Sequence, residues 1–364
     1  MKVSIIPKNA GSFNESRGGL ISRMAQKALF SMLRRLREGR VVIKDRDGVH
    51  VFGGRLGTSE GLAAEVEVRS PRFYTSVVLG GSIGAGEAYM AGTWSVDDLT
   101  ALVRIILLNQ DVFGRMDAGP ARLKAPVYRF YHMLRKDTRR GSRENIAAHY
   151  DLGNAFYELF LDETLTYSCG IFERKDSTLE EASIAKYDRI CRKLCLSPAD
   201  HVVEIGSGWG GFAIYAAKTC GSRVTTTTIS RSQFDLARER ILRAGVGDRV
   251  EILLKDYRDL GGTYDKLVSI EMIEAVGYPY LDTFFGACSH LLKPDGMMAL
   301  QAITIADQAF DHHRRRVDFI KRYIFPGSCF PSVSAICRAV ARATDLRLDH
   351  LEDLKPHFAR TLRD

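Results

Sequence analysis

The sequence lacks the features of small secreted, membrane-spanning or disordered proteins. Its seven cysteines are odd in number and form no Cys-x-x-Cys pair, which argues against a disulfide framework or a metal site and favours a reducing cytoplasm. No run of about 18 apolar residues is present, so no segment is predicted to span a membrane. Residues 1–13 contain no apolar core, so no signal peptide is expected. The 364 residues are 45% hydrophobic and 26% charged, which is typical of a globular protein, and the length predicts two domains.

Positive charge is concentrated in the N-terminal part of the chain. Residues 1–144 hold 24 Lys and Arg against 14 Asp and Glu, whereas the remaining 220 residues hold 28 against 30. A basic module attracts phosphate groups, either those of nucleic acid or those of an anionic membrane. Residues 121–145 are basic with interleaved aromatics but match no RNA-binding motif. We interpret them as a linker that faces anionic headgroups, with a merely solvated surface as the alternative.

The first 120 residues are predicted to form a small α+β domain. Apolar residues at helical spacing predict a basic amphipathic helix over residues 20–36, which either packs on its own domain or contacts a membrane. Strands are predicted at residues 41–43, 49–52, 64–68 and 73–79, the first two joined as a hairpin. The glycine-rich residues 80–86 are predicted to break regular structure. A helix is predicted over residues 97–109, with Ser95 as its N-cap.

Strands and helices alternate from residue 146 onward. The strands are predicted at residues 201–205, 223–229, 250–255, 266–270 and 297–305. The helices are predicted at residues 211–219, 231–244 and 280–292. Such alternation is typical of a doubly wound parallel sheet. The predicted fold is therefore α/β and Rossmann-like over residues 146–364, preceded by the smaller basic α+β domain.

A glycine-rich loop at the end of the first of these strands is the most informative segment. It reads Glu204-Ile205-Gly206-Ser207-Gly208-Trp209-Gly210. Glycines let a backbone turn sharply and approach a ligand closely. The Gly-x-Gly-x-Gly spacing, with an acidic residue two positions before it, favours S-adenosylmethionine (SAM) over a dinucleotide. Glu204 is expected to hold the amino-acid end of SAM, either directly or through an ordering network.

Two further loops at strand ends are predicted to complete the SAM site. The residues expected near the ribose or methionine part are Thr228, Ile229, Ser230 and Gln233. The residues expected near the adenine are Asp256, Tyr257 and Arg258. An aspartate there can accept a hydrogen bond from the adenine amino group, and a tyrosine can pack on the ring.

Eight short motifs follow one another along the C-terminal part of the chain. They are residues 149–154 (HYDLGN), 165–169 (LTYSC), 204–211 (EIGSGWGG), 227–230 (TTIS), 256–260 (DYRDL), 269–277 (SIEMIEAVG), 300–305 (LQAITI) and 323–327 (YIFPG). With these motifs the chain resembles the cyclopropane-fatty-acyl-phospholipid synthase family of SAM-dependent lipid methyltransferases, most strongly over residues 145–332. The resemblance implies that residues 1–120 are a lipid-associating domain. It also implies peripheral association with the inner face of a membrane.

The resemblance implies a reaction as well. The family transfers the SAM methyl group to the cis double bond of an unsaturated phospholipid acyl chain, and a bound bicarbonate then removes a proton so that a cyclopropane ring closes. Carried over to this chain, Cys169 and Ile303 would offer backbone groups to the bicarbonate and Glu274 would hydrogen-bond it. Tyr167 and Ser168 would touch SAM. A dry, apolar acyl tunnel would protect the cation from water.

Three features depart from the family pattern. Gln301 stands where cyclopropane-forming members carry His, and although Gln can hydrogen-bond an anion, it cannot shuttle a proton near neutral pH. Phe358 stands where the family has a Tyr that contacts bicarbonate. The sequence ends at Asp364, whereas family members continue for several dozen mostly helical residues, so residues 146–364 are predicted to lack that tail.

These departures leave three interpretations of the activity. The first is cyclopropane formation. The second is methylation without ring closure, which gives a methyl- or methylene-branched acyl chain. The third is a catalytically impaired protein that binds SAM and lipid. A nucleic-acid methyltransferase is disfavoured because the chain has no Asn-Pro-Pro-aromatic segment of the base-flipping kind, so no nucleic-acid partner is expected. A homodimer is expected from the resemblance.

Overall fold

The structure is a computed structural model that describes residues 19–54, 61–113, 141 and 153–364. The chain divides into two compact units, Met1–Tyr128 and Arg129–Asp364. The division falls inside the predicted linker, but apart from residue 141 that linker lies outside the described residues. In the part of the chain that the structure describes, no helix is both long and apolar enough to cross a membrane.

The N-terminal unit contains a four-stranded sheet packed against helices. Its strands are β1 (Arg40–Asp45), β2 (Gly48–Gly53), β3 (Ala63–Val68) and β4 (Trp94–Val96), in the order β2-β1-β3-β4. Its helices are α1 (Leu20–Leu33), α2 (Arg72–Met90), α3 (Leu99–Leu108) and α4 (Gln110–Phe113). The hairpin and the basic N-terminal helix were both predicted and are confirmed. Helix α1 buries Ala25, Leu29 and Leu33 in the core of this unit.

Helix α2 corrects two predictions. Residues 73–79, predicted as a strand, and residues 80–86, predicted as a break, form one helix interrupted only by a kink. The buried residues Phe73 and Val77 lie four positions apart, and further buried residues follow on the same face, so helical packing on the core prevails over local β-propensity. The kink falls at Gly81, whose φ of +59° is easily adopted only by glycine.

The N-cap of helix α3 also differs from the prediction. Ser95 lies within β4, where it is in register with Glu67 of β3, and it is therefore not available to begin a helix. Asp98 is the N-cap instead, and its carboxylate accepts the backbone N–H of Ala101 at 2.8 Å. The N-cap thus lies three residues later than predicted, and the helix begins at Leu99, two residues later than predicted.

The C-terminal unit has the predicted α/β architecture. Its strands are β5 (His201–Ile205), β6 (Arg223–Thr228), β7 (Val250–Leu254), β8 (Tyr264–Ile270) and β9 (Leu292–Gln301). Its helices are α5 (Asn154–Tyr157), α6 (Leu179–Lys193), α7 (Gly211–Thr219), α8 (Arg231–Arg243), α9 (Leu281–Leu291), α10 (Asp307–Arg315), α11 (Val333–Ala343) and α12 (Lys355–Thr361). The sheet order is β7-β6-β5-β8-β9, and every neighbouring pair is parallel.

The sheet is covered on both faces, and this arrangement positions the site. Successive β5 residues point to opposite faces, so Val202 packs in the cluster formed with α6 and α7, whereas Val203 packs in the cluster formed with α9 and α11. Strand order runs outward from β5 in both directions. The carboxyl ends of β5 and β8 therefore flank the crevice where open α/β sheets bind ligands.

Strand β9 ends four residues earlier than predicted, at Gln301. The carbonyl of Gln301 accepts the N–H of Glu271 at 2.8 Å, which is the last link to the chain that leaves β8. Two residues later, the N–H of Ile303 donates to the Glu274 side chain instead of the neighbouring strand. A carboxylate thus replaces the backbone pairing, and residues 302–305 form part of the site.

Candidate active site

The glycine-rich loop lies at the carboxyl end of β5, at the edge where the strand order reverses. Gly206, Gly208 and Gly210 all have positive φ, at +97°, +49° and +85°. A Cβ on Gly206 would lie 3.1 Å from the Cγ of Met272, whereas nothing lies within 4 Å of the corresponding position on Gly208. The loop is therefore packed on one side and open on the other. These glycines fit a cofactor whose atoms approach the backbone closely.

Glu204, predicted to hold the amino-acid end of SAM, lies inside the sheet. Its carboxyl is 2% exposed and accepts the Thr226 hydroxyl at 2.5 Å. Burial raises the pKa of Glu204 to about 8. The Glu204 side chain therefore links β5 to β6 directly before the loop. The N–H of Ser207 in the loop donates to the Thr227 carbonyl of β6 at 2.8 Å.

The second predicted loop is organised by hydrogen bonds within itself. The Thr228 hydroxyl donates to Gln233 Oε1 at 2.9 Å and accepts the Ser230 N–H at 3.1 Å. Ser230 is the N-cap of α8, and its hydroxyl accepts the Gln233 N–H at 3.3 Å. Ile229 lies between these residues. The segment is therefore held at the end of β6, beside the glycine loop.

The third predicted loop contains a shielded ion pair. Arg258 donates to both carboxylate oxygens of Asp256, at 2.8 and 2.7 Å, and the Asp256 side chain is 3% exposed. Tyr257 packs edge-on against Phe284 with ring centroids 5.5 Å apart. Arg258 thus fixes the orientation of Asp256. The contacts of these residues with adenine stay predictions.

Aromatic rings and a buried lysine support the predicted SAM-contacting segment. Trp209 is buried, donates its indole N–H to Asn154 Oδ1 at 2.9 Å and packs on Tyr157, which also contacts Tyr167. The hydroxyl of Ser168 accepts a hydrogen bond from the ammonium of Lys186 at 2.6 Å.

Lys186 was not predicted, although the sequence carried a signal. It lies four residues after Ala182 and four before Ile190, both buried residues on the inner face of α6, so a lysine at that position points inward. Burial lowers the pKa of Lys186 to about 8, against the opposing effect of the negative charge of Glu271. A buried ammonium therefore faces the Tyr167–Cys169 segment.

The residues predicted to bind bicarbonate lie close together, but their hydrogen-bond donors already bind glutamate side chains of this chain. The N–H of Cys169 donates to Glu271 Oε1 at 2.9 Å, and Gln301 Nε2 donates to the same oxygen at 2.9 Å. Gln301 Nε2 also donates to the Cys169 carbonyl at 3.1 Å. Burial, followed by the charge of Glu271, raises the pKa of the Cys169 thiol to about 11, so the thiol stays protonated at neutral pH.

Glu274 occupies the second predicted backbone donor. Its Oε1 accepts the N–H of Ile303, and within the described residues its buried Oε2 has no hydrogen-bond partner. Burial, followed by the like charge of Glu271, raises the pKa of Glu274 to about 8. Glu274 is therefore predominantly a neutral carboxylic acid at pH 7.

Bicarbonate does not fit these groups. Both backbone N–H donors assigned to it, those of Cys169 and Ile303, already donate to the side chains of Glu271 and Glu274. A bicarbonate placed there would meet the negative charge of Glu271, and no histidine or tyrosine stands at the two positions that the family pattern gives to them. No step of the reaction is therefore assigned to bicarbonate.

The last described helix closes this segment. In α12, Thr361 Oγ1 accepts the N–H of Gly170 at 3.0 Å, and His357 Nδ1 accepts the N–H of Phe172 at 3.2 Å. Arg360 donates to the carbonyl of Ser177 at 2.6 Å. Phe358 lies half-buried on the same helix. The segment after Cys169 is thus held by α12 as well as by β8 and β9.

Fold and site together define the class of the protein. A parallel sheet in the order β7-β6-β5-β8-β9 carries a glycine loop at its switch point, and three successive strand ends supply the predicted cofactor residues. This is a SAM-dependent methyltransferase. Among the described residues, no cluster of three or more His, Cys, Asp or Glu could hold a metal ion.

Comparison with known proteins identifies the family. A family model described as mycolic acid cyclopropane synthetase matches residues 137–364, and the chain belongs to this family of SAM-dependent lipid methyltransferases. The tuberculostearic acid methyltransferase UfaA1 of Mycobacterium tuberculosis is 40% identical over 78% of this chain and 67% of its own length. The cyclopropane-fatty-acyl-phospholipid synthase of Escherichia coli is 38% identical over 76% of this chain and 69% of its own length.

A solved structure agrees with this assignment. The mycolic acid cyclopropane synthase CmaA1, complexed with SAH and CTAB, matches with a TM-score of 0.57 and 32% identity, covering 61% of this chain and 80% of its own. The cyclopropane-fatty-acyl-phospholipid synthase resemblance expected from the sequence is confirmed.

Proposed function

We propose that this enzyme transfers the SAM methyl group to the cis double bond of an unsaturated phospholipid acyl chain. The observation that carries the proposal is the position of two carboxyl groups, on Glu271 and Glu274, in the turn whose Met272 packs against Gly206 of the cofactor loop. Methylation of an alkene leaves a cation that must lose a proton, so a methyl donor and a proton acceptor are needed side by side.

SAM, when bound, supplies an electrophilic methyl group. The glycine loop would hold SAM against the end of β5, and Ser230 and Gln233 would border SAM at the end of β6. Tyr167 and the neighbouring Ser168 would orient the donor toward the substrate side. Glu274, buried and neutral, would donate a hydrogen bond from its second oxygen.

Two products are compatible with this chemistry. Closure of a cyclopropane ring is the first candidate and agrees with the family. A methylene-branched chain is the second, and Gln301, at the position where the family pattern has His, is the feature that favours it. A separate hydride donor would have to reduce that product to give a methyl-branched chain. An inactive SAM- and lipid-binding protein is the third outcome to be tested.

Mass spectrometry of fatty acid methyl esters tests the proposal. Cells that express the chain, compared with empty-vector cells, are expected to contain acyl chains heavier by about one CH₂, since that is the net gain of methyl transfer with proton loss. Mild hydrogenation then reduces a methylene branch and leaves a ring intact. If SAM binds to the purified protein while no heavier acyl chain forms, alkene methylation is refuted.

We also propose that the N-terminal unit binds an anionic membrane surface. Three apolar residues of α1 are largely exposed, Leu20 at 76%, Ile21 at 68% and Met24 at 63%, and they lie beside the exposed Arg23 and Lys27. Apolar side chains next to basic ones suit the headgroup boundary of an anionic bilayer. The expected homodimer stays a prediction.

Vesicle sedimentation tests the membrane proposal. The chain is expected to bind phosphatidylglycerol vesicles more tightly than phosphatidylcholine vesicles, and to dissociate as salt rises. The double variant Ile21→Glu/Met24→Glu should reduce binding about tenfold or more, because two apolar contacts become negative charges. Leu242→Glu, at a similarly exposed apolar residue of α8, is the matched control. Equal binding by the double variant and the control would contradict the proposal.

A further inference from the structure

Glu271 has a backbone conformation that its side chain does not favour. It directly follows β8 and has a φ of +49°, the left-handed region that non-glycine residues rarely adopt. Such conformations cost on the order of 1–3 kcal/mol and persist where surrounding contacts impose them, most often at functional sites. Here the backbone N–H is fixed on the Gln301 carbonyl at 2.8 Å. A glutamate therefore occupies a position whose backbone conformation favours glycine.

The contacts of Glu271 anchor one carboxylate oxygen and leave the other available. Oε1 accepts hydrogen bonds from Cys169 N–H and from Gln301 Nε2, both at 2.9 Å. Within the described part of the chain, Oε2 makes no hydrogen bond. Gln301 is itself oriented by its second hydrogen bond, to the Cys169 carbonyl. A carboxylate held this way has a fixed position and one oxygen that can still accept a proton.

The surrounding charges separate the roles of the two glutamates. Glu274 is kept neutral at pH 7 by burial and by the negative charge of Glu271, which raise its pKa to about 8. Glu271 is only half-buried, and its negative charge acts on the buried ammonium of Lys186. Paired carboxyl groups whose environments differ in this way divide into an acid and a base.

On the basis of the proposed methyl transfer, we propose that the Glu271 carboxylate is the general base that removes the proton from the transferred methyl group. It occupies the donors, Cys169 N–H and the side chain at position 301, that the family pattern gives to bicarbonate. In this proposal the base is therefore a side chain of the protein and not a bound bicarbonate ion. Met272, the next residue, touches Gly206, so the base also lies beside the cofactor loop.

The proposed step balances in atoms and electrons. The π electrons of the alkene form a bond to the methyl carbon of SAM, and the carbon–sulfur bond breaks with its electron pair on sulfur. The neighbouring alkene carbon becomes a cation. Oε2 of Glu271 then takes one proton of the new methyl group. The released C–H pair closes the cyclopropane ring, or forms an exocyclic double bond after a hydride shift.

The test removes the Glu271 carboxylate by mutation and then supplies a small carboxylate or bicarbonate ion from solution to replace it. The purified full chain, with SAM and vesicles of unsaturated phospholipid, is compared with Glu271→Gly in bicarbonate-depleted buffer. Loss of a general base is expected to slow methyl incorporation by about 100-fold or more. Added formate or bicarbonate should restore part of the rate in Glu271→Gly and change nothing in the wild type. The exposed Glu239→Gln in α8 is the matched control.

Folding and occupancy are measured separately from turnover. Glycine relieves the left-handed φ, so Glu271→Gly is expected to keep its melting temperature and its SAM affinity by calorimetry. Glu271→Gln keeps the side-chain volume and is the second variant, expected to lose the rate without rescue. In ¹³C NMR, labelled bicarbonate should bind Glu271→Gly and not the wild type.

Each outcome decides the inference. A wild-type rate that depends on added bicarbonate would overturn it, as would either variant retaining the wild-type rate. Labelled bicarbonate that binds the wild type as tightly as Glu271→Gly would overturn it without any activity measurement. A wild type that forms no methylated lipid refutes the proposed function, and the NMR comparison still determines whether Glu271 excludes the anion.

Discussion

The buried carboxyl of Glu204 should make the C-terminal unit less stable as pH rises. Burial raises its pKa from 4.5 to about 8, and the Thr226 hydroxyl is its one hydrogen-bond partner in the described structure. Between these two values the folded state holds a proton that the unfolded state has released, so increasing pH favours unfolding. At roughly 1.4 kcal/mol per unit, the whole shift corresponds to about 5 kcal/mol.

The variant Glu204→Gln removes this linkage while it keeps an oxygen for Thr226. From pH 6 to pH 8, the wild type should lose about 2 kcal/mol of stability relative to the variant, because the folded carboxyl is already half deprotonated at pH 8. For a unit of this size that is a melting-temperature difference of about 4–8 °C. The measurement is the melting temperature of both proteins across this range, without SAM.

A matched surface variant isolates the burial effect. Glu239→Gln, at an exposed glutamate of α8, should follow the wild type at every pH, because its carboxylate is solvated in both states. Other titrating groups are shared by all three proteins and cancel in the differences. A constant offset between wild type and Glu204→Gln from pH 6 to pH 8 would refute a protonated Glu204.

Three further predictions concern the cofactor loops and the supporting helices. Gly206→Ala should weaken SAM binding about tenfold or more, measured by calorimetry, because the φ of Gly206 is +97° and the added Cβ would crowd Met272. The control is Gly245→Ala, also at positive φ but with nothing within 4 Å of the added Cβ, which should lose stability and keep its SAM affinity. Arg258→Lys should reduce SAM affinity about tenfold, since an ammonium cannot hold both oxygens of Asp256, and an unchanged affinity would contradict the assignment. Thr178→Ala should cost about 0.5–2 kcal/mol in denaturant unfolding through loss of the capping box, with methyl transfer retained below the transition.

The sheet was predictable from sequence because its signals are local. The parallel strands are marked by short runs of apolar residues, as in β5, or of β-branched residues, as in β6, and the glycine spacing after β5 has few other structural uses. The confirmed fold follows from that periodicity. Residues 73–79 were assigned wrongly because β-branched and aromatic residues there favour a strand locally, whereas burial on one helical face determined α2.

The arrangement around Glu271 could not be predicted from spacing. Cys169 lies 102 residues from it and Gln301 lies 30 residues from it, and only the folded sheet brings the three together. The resemblance placed bicarbonate on Cys169 and Ile303, and it gave no role to Glu271. The left-handed φ of Glu271 has no sequence signature in a residue other than glycine or asparagine. Lys186 was missed although its helical position identified an inward-facing lysine.

The contacts between α12 and the segment after Cys169 bear on the order of folding. Thr361 meets Gly170 across 191 residues, and Arg360 meets Ser177 across 183, so these contacts close loops nearly as long as the whole unit. Long-range contacts of this kind carry a large closure entropy and form slowly. The sheet can therefore assemble before the Cys169 segment is anchored. A folding intermediate with the glycine loop formed and the Cys169 segment still open would be the kinetic consequence.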